Sequence, residues 1–189
     1  MGSVLPHYTD IERLVRRSSL IFPANNPRFV EKAYTRGADC IIMDLEDSVP
    51  ESEKEKARAL IRDSIPVVGK GGGDIAVRIN RPIGLATEDL EASVWPGLAC
   101  VSLPKVESAE EVQVRDGIIT DLERRRGLKP GTVQIAVAVE TAFGVIKAFE
   151  IASASPRIVT IGVGAEDLTQ EMGVQTTGEG RELWYARSK

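Results

Sequence analysis

Two short apolar runs that each end at a carboxylate constrain the fold of this chain most strongly. The first runs from Ile135 to Glu140, and the second from Val159 to Asp167. Runs of β-branched and small apolar residues are typical of parallel strands that are buried on both faces. About one strand-helix-strand unit separates the two acids. Adjacent parallel strands would therefore place both carboxylates at the same edge of the sheet.

The two acids are candidate ligands for a metal ion. Carboxylates that share one edge repel each other unless a cation lies between them. Mg²⁺ prefers one or two carboxylates, with waters and substrate as its other ligands. The alternative interpretation is that Glu140 is an acid near the start of the following helix and that Asp167 is a turn residue. The local pattern leaves both interpretations open.

Apolar runs of the same kind recur along the chain and alternate with helix-like segments. The predicted strands are 18–24, 39–46, 74–80, 98–105, 135–140 and 159–167. The predicted helices are 28–36, 51–64, 108–126, 143–154 and 180–189. Strands that alternate with helices indicate repeated βα units and a parallel sheet.

Polar residues at the ends of the predicted strands favour a TIM (β/α)₈ barrel, in which the chemistry gathers on the carboxyl-terminal rim. A doubly wound sheet is the alternative, but it normally has a glycine-rich first turn, which residues 22–26 lack. A complete barrel takes about 250 residues. We therefore predict one barrel domain over residues 1–189, with about six of the eight units present and the C-terminal units missing. Either the sequence is part of a longer protein, or assembly covers the open edge.

A glycine-rich segment at residues 69–73 is similar to a phosphate loop only in its glycine content. It lacks the Walker spacing, and it precedes a predicted strand instead of following one. We therefore interpret it as a flexible connection.

Arg78 lies near the end of the third predicted strand, among apolar residues. Burying an arginine is costly unless it meets an anion. That anion is either a bound ligand or an internal partner, for which Asp44 and Glu46 are the candidates. Both interpretations hold together in the mouth of a barrel.

Composition excludes several other classes of protein. The net charge of −4 comes without a basic stripe, which argues against nucleic-acid binding. No apolar run approaches the length of a membrane span or a signal peptide. Cys40 and Cys100 both lie in apolar runs, which predicts reduced, structural thiols and a cytoplasmic protein. The single histidine, His7, lies in a polar lead-in and is a poor candidate for catalysis.

Six segments together resemble the citrate lyase beta-subunit-like branch of the HpcH/HpaI aldolase family, within the pyruvate/phosphoenolpyruvate barrel superfamily. The segments are 16–25, 37–49, 77–80, 103–107, 138–144 and 161–168. They occur in the family's order and cover the chain from about residue 16 to its end. Each segment is a weak signal by itself, but the combination is specific.

The resemblance implies a set of site residues. Glu140 and Asp167 are implied ligands of Mg²⁺. The implied catalytic residues are Arg78, Glu46 and Asp47. The implied substrate-binding residues are Arg78, Arg17, Asp44 and Lys105, with a structural salt bridge as the alternative role for Lys105.

The resemblance also implies an activity. It is the Mg²⁺-dependent cleavage or formation of the C–C bond of a 3-hydroxyacyl-CoA, such as citryl-, citramalyl- or malyl-CoA, to give an acyl-CoA and a 2-keto acid. Relatives that act on free keto acids carry a histidine after the strand-two glutamate, whereas Asp47 follows Glu46 here. This difference favours the CoA-thioester branch. The alternatives are a catalytically incomplete barrel that binds CoA or keto acids, and a class II aldolase that does not use CoA. The resemblance also implies a homo-oligomer, a trimer or a hexamer.

Overall fold

The computed structural model describes residues 16–189, and it contains a parallel six-stranded sheet. The strands are β1 Ser19–Pro23, β2 Cys40–Asp44, β3 Asp74–Arg78, β4 Cys100–Leu103, β5 Gln134–Val139 and β6 Ile158–Val163. Their spatial order follows their order in the chain. His7 and the rest of the predicted lead-in lie outside the described residues.

Helices connect the strands. They are α1 Pro27–Ala33, α2 Lys54–Val68, α3 Ile83–Ser93, α4 Ala109–Arg125, α5 Ala142–Ile146, α6 Ala148–Ala152, α7 Ala165–Glu171 and α8 Trp184–Ser188. The sequence analysis missed α3, which follows Pro82 and has no side-chain cap at its start. The helix predicted over 143–154 is divided at Lys147, and the one predicted over 180–189 consists of a 3₁₀ turn and α8. No helix in residues 16–189 is long and apolar enough to cross a membrane.

The sheet is that of a (β/α) barrel which has not closed, and this confirms the predicted fold class. Each neighbouring pair is parallel, and in the described chain β1 and β6 each pair with only one strand. In this arrangement all carboxyl ends of the strands face one rim. Residues on neighbouring strands meet there directly, as Asp44 and Arg78 do in the register of β2 and β3.

The predicted ends of several strands were too late in the sequence. β6 ends at Val163, and Asp167 lies in the first turn of α7 instead of on the strand. The chain leaves the sheet at Gly164, whose N–H still donates to Val139 O at 3.0 Å. β2 likewise ends at Asp44, so that Glu46 belongs to the loop that follows it.

The strands bury different side chains on their two faces. On β5 the residues Ile135, Val137 and Val139 are buried in the main core, while the residues between them are partly exposed. A smaller cluster on the opposite face contains Cys40 and Cys100. Both thiols are free and buried, as expected of structural cysteines.

The glycine-rich segment predicted to be a flexible connection is a tight turn. It begins with the 3₁₀ turn Gly69–Gly71 and packs closely on the backbone before β2. A Cβ on Gly73 would lie 2.6 Å from Ala38 O, so no larger residue fits. The glycines therefore serve packing, and the segment is more compact than predicted.

Candidate active site

The carboxyl-terminal rim brings together seven of the eight side chains that the sequence analysis selected. Five parallel strands deliver them, either from the last residue of the strand or from the loop or helix that follows. The seven residues are Asp44, Glu46, Asp47, Arg78, Lys105, Glu140 and Asp167.

Asp44 and Arg78 form a buried, bidentate ion pair. The Arg78 Nε and Nη2 atoms each lie 2.7 Å from an oxygen of Asp44, whose side chain has no exposed surface. Asp44 also accepts the backbone N–H groups of Glu46 and Ser48, each at 3.0 Å. Burial acts to raise the pKa of Asp44, but hydrogen bonds from Arg78 and Ser48 outweigh it, and the pKa lies below its usual value. The hydrogen bonds that Arg78 donates to Asp44 also raise the pKa of Arg78.

Glu46 lies between the two cations of the site. Its Oε1 accepts from Lys105 Nζ at 2.9 Å, and its Oε2 lies 3.2 Å from Arg78 Nη1. Oε2 is buried and accepts no hydrogen bond from the described residues. Burial raises the pKa of Glu46, and the cations only partly oppose this. Glu46 is therefore easier to protonate than an exposed glutamate.

Lys105 connects the two sides of the rim. Its Nζ lies 3.1 Å from Asp47 and 3.7 Å from Asp167, in addition to its contact with Glu46. Burial acts to lower the pKa of Lys105, but its bonds to Glu46 and Asp47 outweigh this and raise it. Its backbone has φ of 51°, the one positive value for a non-glycine residue in the described chain. Such strain, about 1–3 kcal/mol, is concentrated at functional sites.

That backbone conformation serves Glu140. The N–H of Lys105 donates to Glu140 Oε2 at 2.8 Å. Burial raises the pKa of Glu140, and the neighbouring charge of Asp167 raises it further. Gly164 lies against the same carboxylate, because a Cβ there would be 2.3 Å from Glu140 Oε1. The fold thus makes a close-fitting cradle for Glu140 but leaves its charge poorly compensated.

The donor set around Glu140 fits Mg²⁺. Two carboxylates of unlike burial, Glu140 and the half-exposed Asp167, repel each other across the site. Within residues 16–189 no cluster of three or more histidine, cysteine, aspartate or glutamate side chains is arranged to hold a metal. Two carboxylate ligands leave most coordination positions to water or substrate, and Mg²⁺ commonly binds in this way.

Arg17 does not join the other seven residues. It precedes β1, and its Nη2 lies 3.1 Å from Asp39, which precedes β2. Both residues therefore lie at the amino-terminal ends of the strands, opposite the rim. Arg17 is largely exposed there, whereas the prediction placed it among the cationic residues of the rim.

The sequence analysis missed a buried polar network beneath Glu46. It consists of three buried residues, Lys54, Asn80 and Asp89. Lys54 donates a hydrogen bond to Asn80, and Asn80 donates one to Asp89. A signal for Lys54 was present, because it lies three residues before Ala57 on the buried face of α2. Asn80 lies two residues after the end of the strand that carries Arg78, and its position was also a usable signal.

Comparison with known proteins identifies relatives over nearly the whole chain. The sequence profile described as HpcH/HpaI aldolase/citrate lyase matches residues 17–189. Citrate lyase subunit beta of Leuconostoc mesenteroides subsp. cremoris is 41% identical over 181 residues, which cover 94% of this chain and 59% of that protein. An L-malyl-CoA/beta-methylmalyl-CoA lyase of Cereibacter sphaeroides is 37% identical over 179 residues, with 89% and 55% covered.

A solved structure agrees with these matches. The citrate lyase beta subunit from M. tuberculosis, complexed with oxaloacetate and magnesium, superposes with a TM-score of 0.66 at 32% identity. The match covers 92% of this chain and 72% of that one. The chain spans about three fifths of the length of the curated citrate lyase beta subunits that it matches.

Proposed function

The chain belongs to the HpcH/HpaI aldolase/citrate lyase family, and from this we propose that it is a Mg²⁺-dependent carbon–carbon lyase. Its substrate would be a 3-hydroxyacyl-CoA of the citryl-, citramalyl- or malyl-CoA type, and its products an acyl-CoA and a 2-keto acid. The names of the relatives support the substrate class. The observation that carries the proposal is the poorly compensated carboxylate of Glu140, with the carboxylate of Asp167 as its neighbour, at the rim that also holds the fixed guanidinium of Arg78.

In this proposal Glu140 and Asp167 hold the metal ion. Bound Mg²⁺ supplies a Lewis acid that lowers the pKa of the substrate hydroxyl and fixes its orientation. The protein prepares the site through the Lys105 N–H, which orients Glu140, and through Gly164, which leaves room for the carboxylate. The raised pKa of Glu140 indicates that its partners do not offset the burial of the ionised carboxylate, and a divalent cation would do so.

Arg78 binds the substrate oxygens on which negative charge develops. Its Nε and Nη2 are occupied by Asp44, which fixes the plane of the guanidinium. Nη1 makes only the longer contacts, 3.2 Å to Glu46 and 4.0 Å to Asp47. Nη1 is therefore the donor that a substrate oxygen can use. Asp44 contributes by orienting Arg78.

Glu46 and Asp47 complete the catalytic group, together with the ammonium of Lys105. In this proposal the Glu46 carboxylate, held between Arg78 and Lys105, takes the proton of the substrate hydroxyl. The C–C bond then breaks, the former hydroxyl carbon becomes the ketone of the keto acid, and the enolate carbon of the acyl-CoA takes a proton from water, to which Glu46 returns the one that it removed. Asp47 helps to keep Lys105 protonated, and Lys105 binds an anionic group of the substrate.

We extend the proposal to assembly and location. A homo-oligomer, trimer or hexamer, is supported by apolar side chains that α5 and α6 expose, namely Phe143, Ile146 and Phe149, the last being 80% exposed. Light scattering coupled to size exclusion measures the assembly. A cytoplasmic location is supported by the free thiols Cys40 and Cys100, and fractionation of the source cells tests it.

The activity is tested by incubating malyl-, citramalyl- and citryl-CoA with the protein, with and without Mg²⁺. Acyl-CoA and 2-keto acid are measured separately. We expect one thioester to be cleaved only with Mg²⁺, and Glu140→Ala and Asp167→Ala to abolish the cleavage. Glu150→Gln, which changes an exposed acid on α6, is the matched control and should retain activity. Cleavage that persists in both site variants, or equal turnover of CoA-free substrates, would contradict the proposal.

A further inference from the structure

Lys54 is a buried ammonium group whose hydrogen bonds all go to uncharged acceptors. It lies at the start of α2, and only 8% of the residue is exposed. Its Nζ donates to Leu45 O at 2.9 Å, to Glu46 O at 3.0 Å and to Asn80 Oδ1 at 2.7 Å. Among the described residues no carboxylate lies within 4.0 Å of Nζ. Three acceptors match the three protons of an ammonium group, which offsets much of the cost of burying it.

We propose that Lys54 is a positioning residue for Glu46, an inference that rests on the proposed function. Leu45 O belongs to the peptide plane before Glu46, and Glu46 O belongs to the plane after it. A single ammonium therefore fixes both planes that flank the Glu46 Cα atom. When both planes are fixed, the direction of the Glu46 side chain toward Arg78 and Lys105 is fixed as well.

Asn80 extends this restraint to the strand that carries Arg78. Its Nδ2 donates to Leu45 O at 2.9 Å and to Asp89 Oδ2 at 2.7 Å, and its own N–H donates to the same Asp89 oxygen. Asp89 in turn accepts from Arg58 Nε at 2.6 Å. Lys54 thus belongs to a continuous network that joins the ends of β2 and β3. This network fixes the positions of Glu46 and Arg78 relative to each other.

A purely structural role for Lys54 would leave the chemical step unchanged once the protein is folded, so the test separates turnover from binding and folding. The variant is Lys54→Met, which keeps an unbranched side chain only one heavy atom shorter but removes its donors. Lys54→Gln keeps two N–H donors and serves if the methionine variant does not fold. The matched control is Lys56→Met on the same helix, because Lys56 is exposed and, among residues 16–189, pairs with Glu53 alone.

We expect Lys54→Met to lower kcat by about 10- to 100-fold, the loss typical when a supporting residue of a site is removed. KM should change by less than about threefold, since the substrate-binding groups remain. Lys54→Gln should lie between the methionine variant and wild type. Lys56→Met should stay within about twofold of wild type. Wild-type kcat in a folded Lys54→Met variant would overturn the proposal.

A second readout does not depend on catalysis. Hydrogen exchange of the backbone amides of Glu46, Ser48 and Val49 reports the loop directly, because each of them is hydrogen-bonded in the folded loop. We expect Lys54→Met to speed exchange at these amides at least about tenfold while the helix α4 retains its protection. Unchanged exchange there overturns the positioning role. If wild type cleaves no thioester, the proposed function fails, and this exchange measurement still decides the role of Lys54.

Discussion

Asp44 and Glu140 occupy equivalent places in the fold, yet their surroundings shift their pKa values in opposite directions. Each is a nearly buried carboxylate at the carboxyl end of a parallel strand. The pKa of Asp44 is lowered, since the hydrogen bonds from Arg78 and Ser48 overcome the effect of burial. The pKa of Glu140 is raised by burial, and Asp167 adds to the shift. Burial alone therefore does not decide the state of a carboxylate at this rim.

The difference lies in the donors that the protein supplies. Asp44 receives two hydrogen bonds from a guanidinium, two from backbone N–H groups and one from the Ser48 hydroxyl. Glu140 receives one from the backbone of Lys105, and its acidic neighbour is Asp167. A carboxylate whose partners are part of the protein can orient a neighbouring side chain. A carboxylate that lacks them is available to a cation from solution.

The largest effect is expected when Arg78, the cation that pairs with Asp44, is removed. Arg78→Met leaves Asp44 buried without its cation, and breaking a buried pair from one side costs about 3–5 kcal/mol. We expect the free energy of unfolding at pH 7, measured in urea, to fall by that amount. Adding Asp44→Asn to Arg78→Met should recover at least half of the loss. A fall below about 1 kcal/mol would show that Asp44 is compensated by other groups.

The stability effect of replacing Glu140 should instead depend on Mg²⁺. Without Mg²⁺, Glu140→Gln should be as stable as wild type or more stable, because it removes a poorly compensated charge. With Mg²⁺ at 100 times its Kd, wild type should gain about 2.7 kcal/mol, and the variant should gain little. Urea unfolding with and without Mg²⁺ measures both quantities. Equal stabilisation of the two proteins by Mg²⁺ would contradict the proposal that Glu140 binds Mg²⁺.

The cradle around Glu140 can be tested with a matched pair of glycines. Gly164→Ala places a Cβ 2.3 Å from Glu140 Oε1, whereas a Cβ on Gly162 has no neighbour within 4 Å. Overpacking of this kind costs about 1–3 kcal/mol. We expect Gly164→Ala to lose that stability and to weaken Mg²⁺ binding, measured by calorimetry. Gly162→Ala should bind Mg²⁺ like wild type. Identical behaviour of both variants would show that the contact is easily relieved.

The smallest effect is a dependence of stability on pH that has opposite signs for Asp44 and Glu140. The lowered pKa of Asp44 means that its ionised form contributes stability above the usual Asp value, about 3.9, which is lost as pH falls through the folded value. The raised pKa of Glu140 means that stability falls as pH rises from the usual Glu value, about 4.3, through the folded value.

Urea unfolding at stepped pH without Mg²⁺ measures these dependences. Asp44→Asn should lose stability relative to wild type as pH rises from the folded pKa of Asp44 to the usual Asp value. Glu140→Gln should gain stability relative to wild type as pH rises from the usual Glu value to the folded pKa of Glu140. A difference between Glu140→Gln and wild type that does not change with pH would contradict the assignment of a raised pKa to Glu140.

The sequence predicted the strands better than the helices, for a physical reason. Each of the six strands is a short run of mostly apolar residues, and this pattern is local even though only β2 to β5 are largely buried by the fold. Helix α3 was missed because it has no side-chain cap, and α5 and α6 were predicted as one helix. Strand ends were extended as far as Asp167, although the chain already turns at Gly164. The transition from strand to helix depends on packing against Glu140, which directly follows another strand, β5.

The residues of the candidate site also divide into those that the sequence predicted and those that it misplaced or missed. Acids and an arginine that interrupt apolar runs are visible in the sequence, and the rim of the parallel sheet brings Asp44, Arg78 and Glu140 together. Arg17 has the same chemistry, but it precedes its strand and lies at the other end of the sheet. Lys54 was not selected, because a lysine at the start of a charged helix is normally solvated.

The amino-acid sequence by itself determined the repeated βα pattern, the parallel sheet and the residue types at the strand ends, since these follow from local periodicity. Only the tertiary structure decided which acid has a partner. The pairing of Asp44 with Arg78 depends on the register of two strands, and the exposure of Glu140 to the charge of Asp167 depends on where α7 begins. The pKa of a carboxylate is set by donors and charges within a few ångströms, and in this fold those groups are distant in sequence.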